Sequence, residues 1–363
     1  MRNFLKPKIL DWFIVRKFLG TYLFSILLLL TIVVMFDINE KLDSFMVAPL
    51  YETVVDYFVN FLPYFANQFA PLFTFIAVIF FTSKLAGNSE IIAILSSGVS
   101  YRRMLRPYMF SAAVIALSSF ILSAYIIPPA NVKRIAYTNK YVSNKSVDYG
   151  ANIMLMVAPG EIAYINRYDA ASKTGSRFSL EKFDEDKKLV SRMTAQTIIW
   201  DTLYLWKAKN YVIREFKGER EEISKGMSID TMIPFEPRDL LIASNDHEKM
   251  TTPALEEYIS RQKSRGVGNI QSFQIEYHKR YAMTAAAFIL TIIGMSLSSR
   301  KVKGGMGLNI GIGLALSFSY ILFMTITQTF AQSGLTSPFV AMWIPNVLYV
   351  IIAIVLYRRV SRA

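Results

Sequence analysis

The chain has no cysteine and only two histidines, His247 and His278, in 363 residues. A disulfide framework and thiolate metal sites are therefore excluded. The two histidines stand far apart and match no ligand spacing, so each is expected to be structural or solvated. No GxxxxGK[ST], HExxH or GxSxG pattern occurs, which removes the usual signatures of nucleotide hydrolysis, zinc hydrolysis and serine catalysis. Charge is also missing where a soluble protein would carry it. Phe18 to Phe36, Tyr57 to Ser83, Pro107 to Val132, Tyr281 to Ser299 and Gly304 to Tyr357 contain no Asp, Glu, Lys, Arg or His.

About twenty apolar residues cross a bilayer as a helix. The first four windows each have room for one span, and the fifth has room for two. Its polar middle, "AQSGLTSPF" from Ala331 to Phe339, contains Gly334 and Pro338 and predicts a turn between spans of Met306 to Phe330 and Phe339 to Tyr357. With 53% hydrophobic residues, the chain reads as a six-span α-helical membrane protein. The first span is expected to be retained and not removed as a signal, because the acidic "DINEKLD" follows it instead of small residues.

Six spans place both termini on one side, and short-segment Lys and Arg counts decide which. One side receives Arg2, Lys6, Lys8, Arg16 and Lys17, then Lys84, Arg102, Arg103 and Arg106, then Arg300, Lys301 and Lys303, then Arg358, Arg359 and Arg362. The facing short segments hold Lys41 among Asp37, Glu40, Asp43, Glu52 and Asp56. Both termini are expected in the cytoplasm. The net charge of +13 follows this topology, since Ile135 to His278 carries twenty basic and twenty acidic residues. No separate basic face remains for nucleic acid.

The large soluble segment, residues 133–280, is expected outside the cytoplasmic membrane. Five stretches alternate apolar with polar residues between charged or Gly/Ser turns: "EIAYINRYD", "RFSLEKFD", "LVSRMTAQTIIWD", "LYLWKAKNYVIREF" and "MSIDTMIPF". They predict an antiparallel all-β sandwich or jelly-roll-like domain over 133–250, inserted between spans three and four. In 251–280, "TTPALEEYISRQKSRG" predicts a connecting helix capped by Thr251 or Thr252, opened by Pro253 and closed by Gly266. Residues 1–132 and 281–363 then form two groups of three spans. The glycine-rich "GGMGLNIGIG" lacks a preceding strand and enters a span, so helix packing through Gly307 and Gly311 is expected there.

Between spans two and three lies "SKLAGNSEIIAILSSGVSYRRMLRP". It predicts a short helix around 87–98, with Asn88 or Ser89 as cap, Glu90 in the first turn and Gly98 at the end. Ile91, Ile92, Ile94 and Leu95 give it an apolar surface. Such a helix suits a groove on a partner protein or the lipid surface.

With "LDWFIVRKFLGT" before the first span, "NSEIIAILSSGVSYRRML" after the second and "YIIPPANVKR" leaving the third, the chain resembles the LptF/LptG (YjgP/YjgQ) permeases of the lipopolysaccharide export ABC transporter. "GEIAYINRYD" and "TPALEEYISRQKSRG" are closer to the LptG side. The resemblance runs along essentially the whole chain and implies a Gram-negative inner-membrane location with a periplasmic β-jellyroll. It implies that Ser89, Glu90, Ile91, Ile92, Ile94 and Leu95 form a coupling helix on a separate LptB-like ATPase dimer. This chain would itself hold no cofactor, ATP being bound by the partner subunit. It also implies an LptF-like paralogous permease and LptC-like and LptA-like periplasmic jelly-roll partners. Lipopolysaccharide would enter between the first span of one permease and the fifth of the other.

Three basic sites run against the positive-inside pattern: Lys41, the pair Lys133 and Arg134, and the pair Lys279 and Arg280. They lie where phosphates of an anionic glycolipid would sit. Lys41, Arg134 and Lys133 are the candidate substrate-binding residues; ordinary snorkelling or pairing, for Lys41 with Glu40 and Asp43, is the alternative. An ion-coupled lipid carrier would need a coupling-ion site, and the charge-free spans offer none. A non-transport scaffold with an outer interaction domain would leave Glu90 dispensable.

Overall fold

A computed structural model describes residues 9–142, 150–169, 172–218, 220–240, 246–264, 270–300 and 305–361. Two units emerge: Met1–Tyr137 with Gln274–Ala363, and Thr138–Phe273.

The first unit carries six helices long and apolar enough to cross a membrane. Helix α1 (Ile9–Glu40) is the first span, and α2 (Leu42–Val47) and α3 (Leu50–Glu52) follow it. The second window is not one uniform helix. A π-helical turn (Thr53–Phe58) leads into α4 (Val59–Gln68), the chain breaks at Phe69, and α5 (Ala70–Gly87) completes the passage. Proline accounts for this: Pro63 inside α4 lacks the N–H its turn needs, and Pro71 opens α5, where that loss costs nothing. The short α6 (Glu90–Ser96) precedes the third span, α7 (Tyr101–Ile121). A second π-helical turn (Leu122–Ile126) and α8 (Ile127–Tyr137) continue it; Pro128 and Pro129 remove the amides that would close the preceding turn.

Polar residues pin the spans together. Ser119 Oγ donates to Asn67 Oδ1 (2.6 Å), Thr82 Oγ1 to Tyr108 OH (3.1 Å) and Asn309 Nδ2 to Ser83 Oγ (3.3 Å). Tyr320 OH donates to Asn346 Oδ1 (2.9 Å), whose Nδ2 donates to the Ala282 carbonyl (2.8 Å). Such bonds hold helices where lipid supplies no hydrophobic drive between them.

The second unit holds a six-stranded antiparallel sheet in sequential order: β1 (Gly150–Ala158), β2 (Glu161–Asp169), β3 (Thr174–Phe183), β4 (Leu189–Thr202), β5 (Leu205–Lys217) and β6 (Arg220–Met232). The five strands expected from alternation are present, and β1 is an addition. Its "GANIMLMVA" is almost continuously apolar, so period-2 reading passes over it. A transverse crease crosses the whole sheet. Asn166 faces Arg177, Arg177 faces Gln196, Gln196 faces Asn210 and Asn210 faces Met227 where the backbone ladder skips a pair in each case, and one of these pairs is held by side chains, Asn210 Nδ2 donating to Gln196 Oε1 (2.7 Å). Strands β2, β3 and β4 shift face there: buried positions step from Ile165 to Tyr168, Gly175 to Phe178 and Ala195 to Ile198, three residues where a flat strand takes two. Arg177 and Asn210 make the shift in left-handed conformation, with φ of 50° and 51°. The core beneath includes Phe178, Leu180, Met193, Trp206 and Phe235, and Trp206 Nε1 donates to the Phe235 carbonyl (3.0 Å).

After α9 (Pro237–Leu240) comes the expected connecting helix, α10 (Thr252–Ser264). Leu255 N donates to the Thr251 carbonyl (2.8 Å), which puts Thr251 at the cap position. Gly266 lies outside the described residues. The remaining spans are α11 (Gln271–Ser298), α12 (Gly305–Gln332) and α13 (Pro338–Ser361). Between the last two, Gly334 adopts φ +77° and Pro338 opens α13, as "AQSGLTSPF" predicts. The expected packing through Gly307 and Gly311 is not found among the described residues, since none outside the helix's own backbone lies within 4 Å of a Cβ at either. Close approach occurs instead at Gly294, where a Cβ would stand 2.9 Å from Val78 Cγ1, and at Gly313 against Ile79. Neither falls in the GxxxG spacing that drew attention to the other two.

Candidate functional site

Helix α6 begins after Ser89, which has φ 63°, and ends before Gly98, with φ 86°. Gly98 terminates it as expected, its N–H donating to the Leu95 carbonyl (3.0 Å). The expected side-chain cap is not there: Ser89 makes no cap bond. A capping serine needs an extended backbone to aim its hydroxyl at the second and third amides, and a left-handed one does not. Asn88 Nδ2 donates instead to Glu90 Oε1 (3.0 Å).

The four apolar residues of α6 do not form one surface. Ile91 is 1% exposed and packs with Ile14, Phe18, Leu85, Tyr101 and Met104, and Ile94 lies partly buried against the same cluster. Ile92 is 56% exposed, and Leu95, one turn after Ile91, is 38% exposed at the rim of the buried face. Neighbouring isoleucines stand 100° apart around this seven-residue helix, which is enough to bury one and leave the other exposed. Glu90 is half-buried at the edge between these faces and Ser89 is exposed.

The helix is braced against the bundle. Just beyond it, Ser100 caps α7 by accepting from Arg103 N (3.2 Å), and the Arg103 guanidinium reaches Asp11 of α1 as a fork, 2.6 Å to Oδ1 and 2.5 Å to Oδ2. Bidentate pairs of this kind fix orientation as well as distance. The Tyr101 ring meets Tyr357 of α13 at 5.7 Å. These contacts tie the start of α7, just beyond α6, to the first and last spans. The Asp11 to Arg103 pair, 92 residues apart in the chain, carried no local sequence signal.

A second constellation lies at the far end of α1. Lys41 Nζ is paired with Asp37 one turn earlier, donates to Tyr57 OH (2.5 Å) and stands 5.1 Å from the centre of the Tyr57 ring. Asp37 is 7% exposed and also accepts from Tyr57 OH (3.1 Å); its Oδ2 is buried with no partner among the described residues. The partner of Lys41 is therefore Asp37, not Glu40 or Asp43, and the i,i+4 spacing was the signal available for it. Tyr57 also packs on Tyr137 of α8 (5.2 Å), whose hydroxyl shares a 2.8 Å hydrogen bond with Thr53 Oγ1.

One turn before Tyr137, Arg134 donates from Nε to Asn131 Oδ1 (3.0 Å) and lays its guanidinium 4.3 Å from the Tyr64 ring centre. Lys41 and Arg134 thus share one aromatic wall formed by residues 53–68 and α8. Lys133 is exposed on α8 and forms no ion pair among the described residues. Lys279 and Arg280 lie inside α11, and Arg280, 4% exposed, is paired with Glu276 (2.9 Å). The histidines are held by rings, His278 against Phe339 at 5.3 Å and His247 against Phe273 at 6.0 Å.

Six spans, a sheet inserted between the third and fourth, and a braced short helix between the second and third make a pattern that comparison with known families can test. Residues 12–359 match the family described as lipopolysaccharide export system permease LptF/LptG. The chain belongs to the LptF/LptG family. No individual curated protein gave a match. As a member of that family the protein is a multi-pass lipopolysaccharide export permease and a transport component, not an enzyme. In LptF/LptG terms α6 occupies the loop between the second and third spans, and the Lys41 and Arg134 wall belongs to the permease half of the fold that precedes the sheet.

Proposed function

We propose that this protein is the LptG-like permease of an ATP-driven transporter that draws lipopolysaccharide from the outer leaflet of the inner membrane and hands it to a periplasmic bridge. The distribution of Lys and Arg supports cytoplasmic termini and a periplasmic sheet domain. In this reading α6 docks on a cytoplasmic LptB-like ATPase dimer, which binds the ATP, through Ile92, Leu95, Ser89 and Glu90. Ile91 and Ile94 anchor the helix to the bundle. The observation that carries the reading is this two-faced helix, with Ile91 in the cluster shared with α1 and Ile92 exposed, followed directly by the Asp11 to Arg103 fork that ties the start of α7 to α1. A partner moves an equilibrium only through contacts that differ between its states, and a rigidly braced helix passes such a difference on.

Lys41, Arg134 and Lys133 meet the phosphates of the glycolipid at the outer border, and the acyl chains lie against the charge-free spans. The paralogous LptF-like permease supplies the other half of the entry path. LptC-like and LptA-like jelly-roll proteins receive the lipid from the sheet domain through edge pairing.

The test is copurification of the permease with the ATP-binding subunit, wild type against Glu90→Ala, together with ATP-driven lipid release. Loss of association or of release in the variant is expected; both intact would refute docking through α6. Lipid A crosslinking that survives charge reversal at both Lys41 and Arg134 would remove the head-group part alone.

A further inference from the structure

We propose that the groove between the basic end of α1 and Phe80 of α5 is a binding site for an anionic glycerophospholipid of the membrane leaflet at that end. The groove encloses about 590 Å³, within the range of roughly 300–1,000 Å³ seen for small-molecule sites. It has the layout of an amphiphile. Arg16 and Lys17 stand on its lining, both exposed and neither in an ion pair with a described residue. The neighbouring carboxylate, Asp11, is engaged by Arg103.

Beyond the two cations the sequence runs charge-free to Phe36. On that side the walls are Phe24 and Phe80, 65% and 41% exposed, with Gly20 between them. Apart from its own helix backbone and chain neighbours, no described atom lies within 4 Å of where a Gly20 Cβ would be, so no side chain fills the groove at that point. On the other side of the cations Trp12, 65% exposed, closes the polar end; tryptophan is at home at the headgroup level.

Charge complementarity selects the occupant: two unpaired cations beside an apolar channel fit a phosphodiester joined to fatty chains, and juxtamembrane Lys and Arg favour anionic lipid. Position separates this site from the glycolipid contacts above. Arg16 and Lys41 are about 37 Å apart along α1 at 1.5 Å per residue, more than the roughly 30 Å hydrocarbon core. The site therefore belongs to the opposite leaflet, and its occupancy is independent of the substrate reading.

The experiment reconstitutes the full chain, with whatever subunits copurify, in vesicles of phosphatidylglycerol and phosphatidylethanolamine mixed in equal parts. Lipid retained after detergent extraction is then quantified. Wild type is expected to retain phosphatidylglycerol at least five-fold over phosphatidylethanolamine, and Arg16→Glu/Lys17→Glu is expected to abolish the excess. Equal retention by wild type, or an excess unchanged in the variant, overturns the proposal.

Because the chain has no cysteine, Gly20→Cys introduces a single thiol for a fluorophore, a second measurement that leaves both cations in place. Quenching by spin-labelled phosphatidylglycerol at several-fold lower mole fraction than by the phosphatidylethanolamine analogue supports the site. A thiol crosslinked to a protein helix and shielded from both lipids shows that a subunit fills the groove, and overturns it.

Discussion

Alanine replacements at Ile91 and Ile92, made one at a time, separate the two faces of α6. Ile91 is 1% exposed among Ile14, Phe18, Leu85 and Tyr101, so its truncation leaves a cavity and is expected to cost about 2–5 kcal/mol of stability. Ile92 is 56% exposed, and surface truncation away from caps and networks changes stability by no more than about 0.5 kcal/mol. If Ile92 lies in the interface with an ATP-binding subunit, its loss should weaken association by more than about 1 kcal/mol, or some five-fold. The two readouts are thermal unfolding of the purified permease and titration of the ATP-binding subunit against it. Ile91→Ala is expected to lower the unfolding midpoint; Ile92→Ala should leave it in place and weaken binding, with Leu95→Ala adding to the effect. Full binding by Ile92→Ala/Leu95→Ala at normal stability would refute docking through the outward face. Unchanged stability in Ile91→Ala would refute the assignment of faces itself.

Lys41→Met leaves Asp37 buried without its cation, which is expected to cost about 3–5 kcal/mol; Asp37→Asn/Lys41→Met should recover most of that loss in unfolding measurements. Gly294→Ala brings a methyl to 2.9 Å from the stiff Val78 side chain and is expected to destabilise by about 1–3 kcal/mol. Gly307→Ala meets no neighbour among the described residues and should be neutral or stabilising by up to about 1 kcal/mol. In the sheet domain, burial pushes the Tyr168 phenol up from 10.0 to about 12, and its hydroxyl has no partner among the described residues. A raised folded-state value means this contribution is complete below pH 10 and is lost as pH climbs from 10 toward 12. Tyr168→Phe should therefore shift alkaline unfolding, followed by Trp206 fluorescence, to higher pH without loss of stability at neutral pH.

The six spans, their order and the inserted sheet were legible in the sequence, because a bilayer demands long charge-free helices and a half-buried strand demands alternation. The family could be read from short motifs that the chain carries in contiguous form. Local chemistry went only so far: Gly98 ends α6 as read, but the Ser89 backbone turns left-handed and spoils the cap that its residue type suggested. The β1 strand escaped notice because it is apolar on both faces of the alternation.

What tertiary structure alone decided is which of several equivalent side chains does what. Ile91 and Ile92 are the same residue side by side, and only the cluster of α1, α5 and α7 side chains on one side of α6 makes the first a buried contact and leaves the second exposed. Gly294 and Gly307 differ in whether another helix passes. Asp11 finds Arg103, and the Lys41 and Arg134 wall forms, because helices distant in sequence are brought into contact. Composition and periodicity are properties of a residue and its chain neighbours, whereas a partner across the bundle is set by packing, which the one-dimensional pattern does not encode.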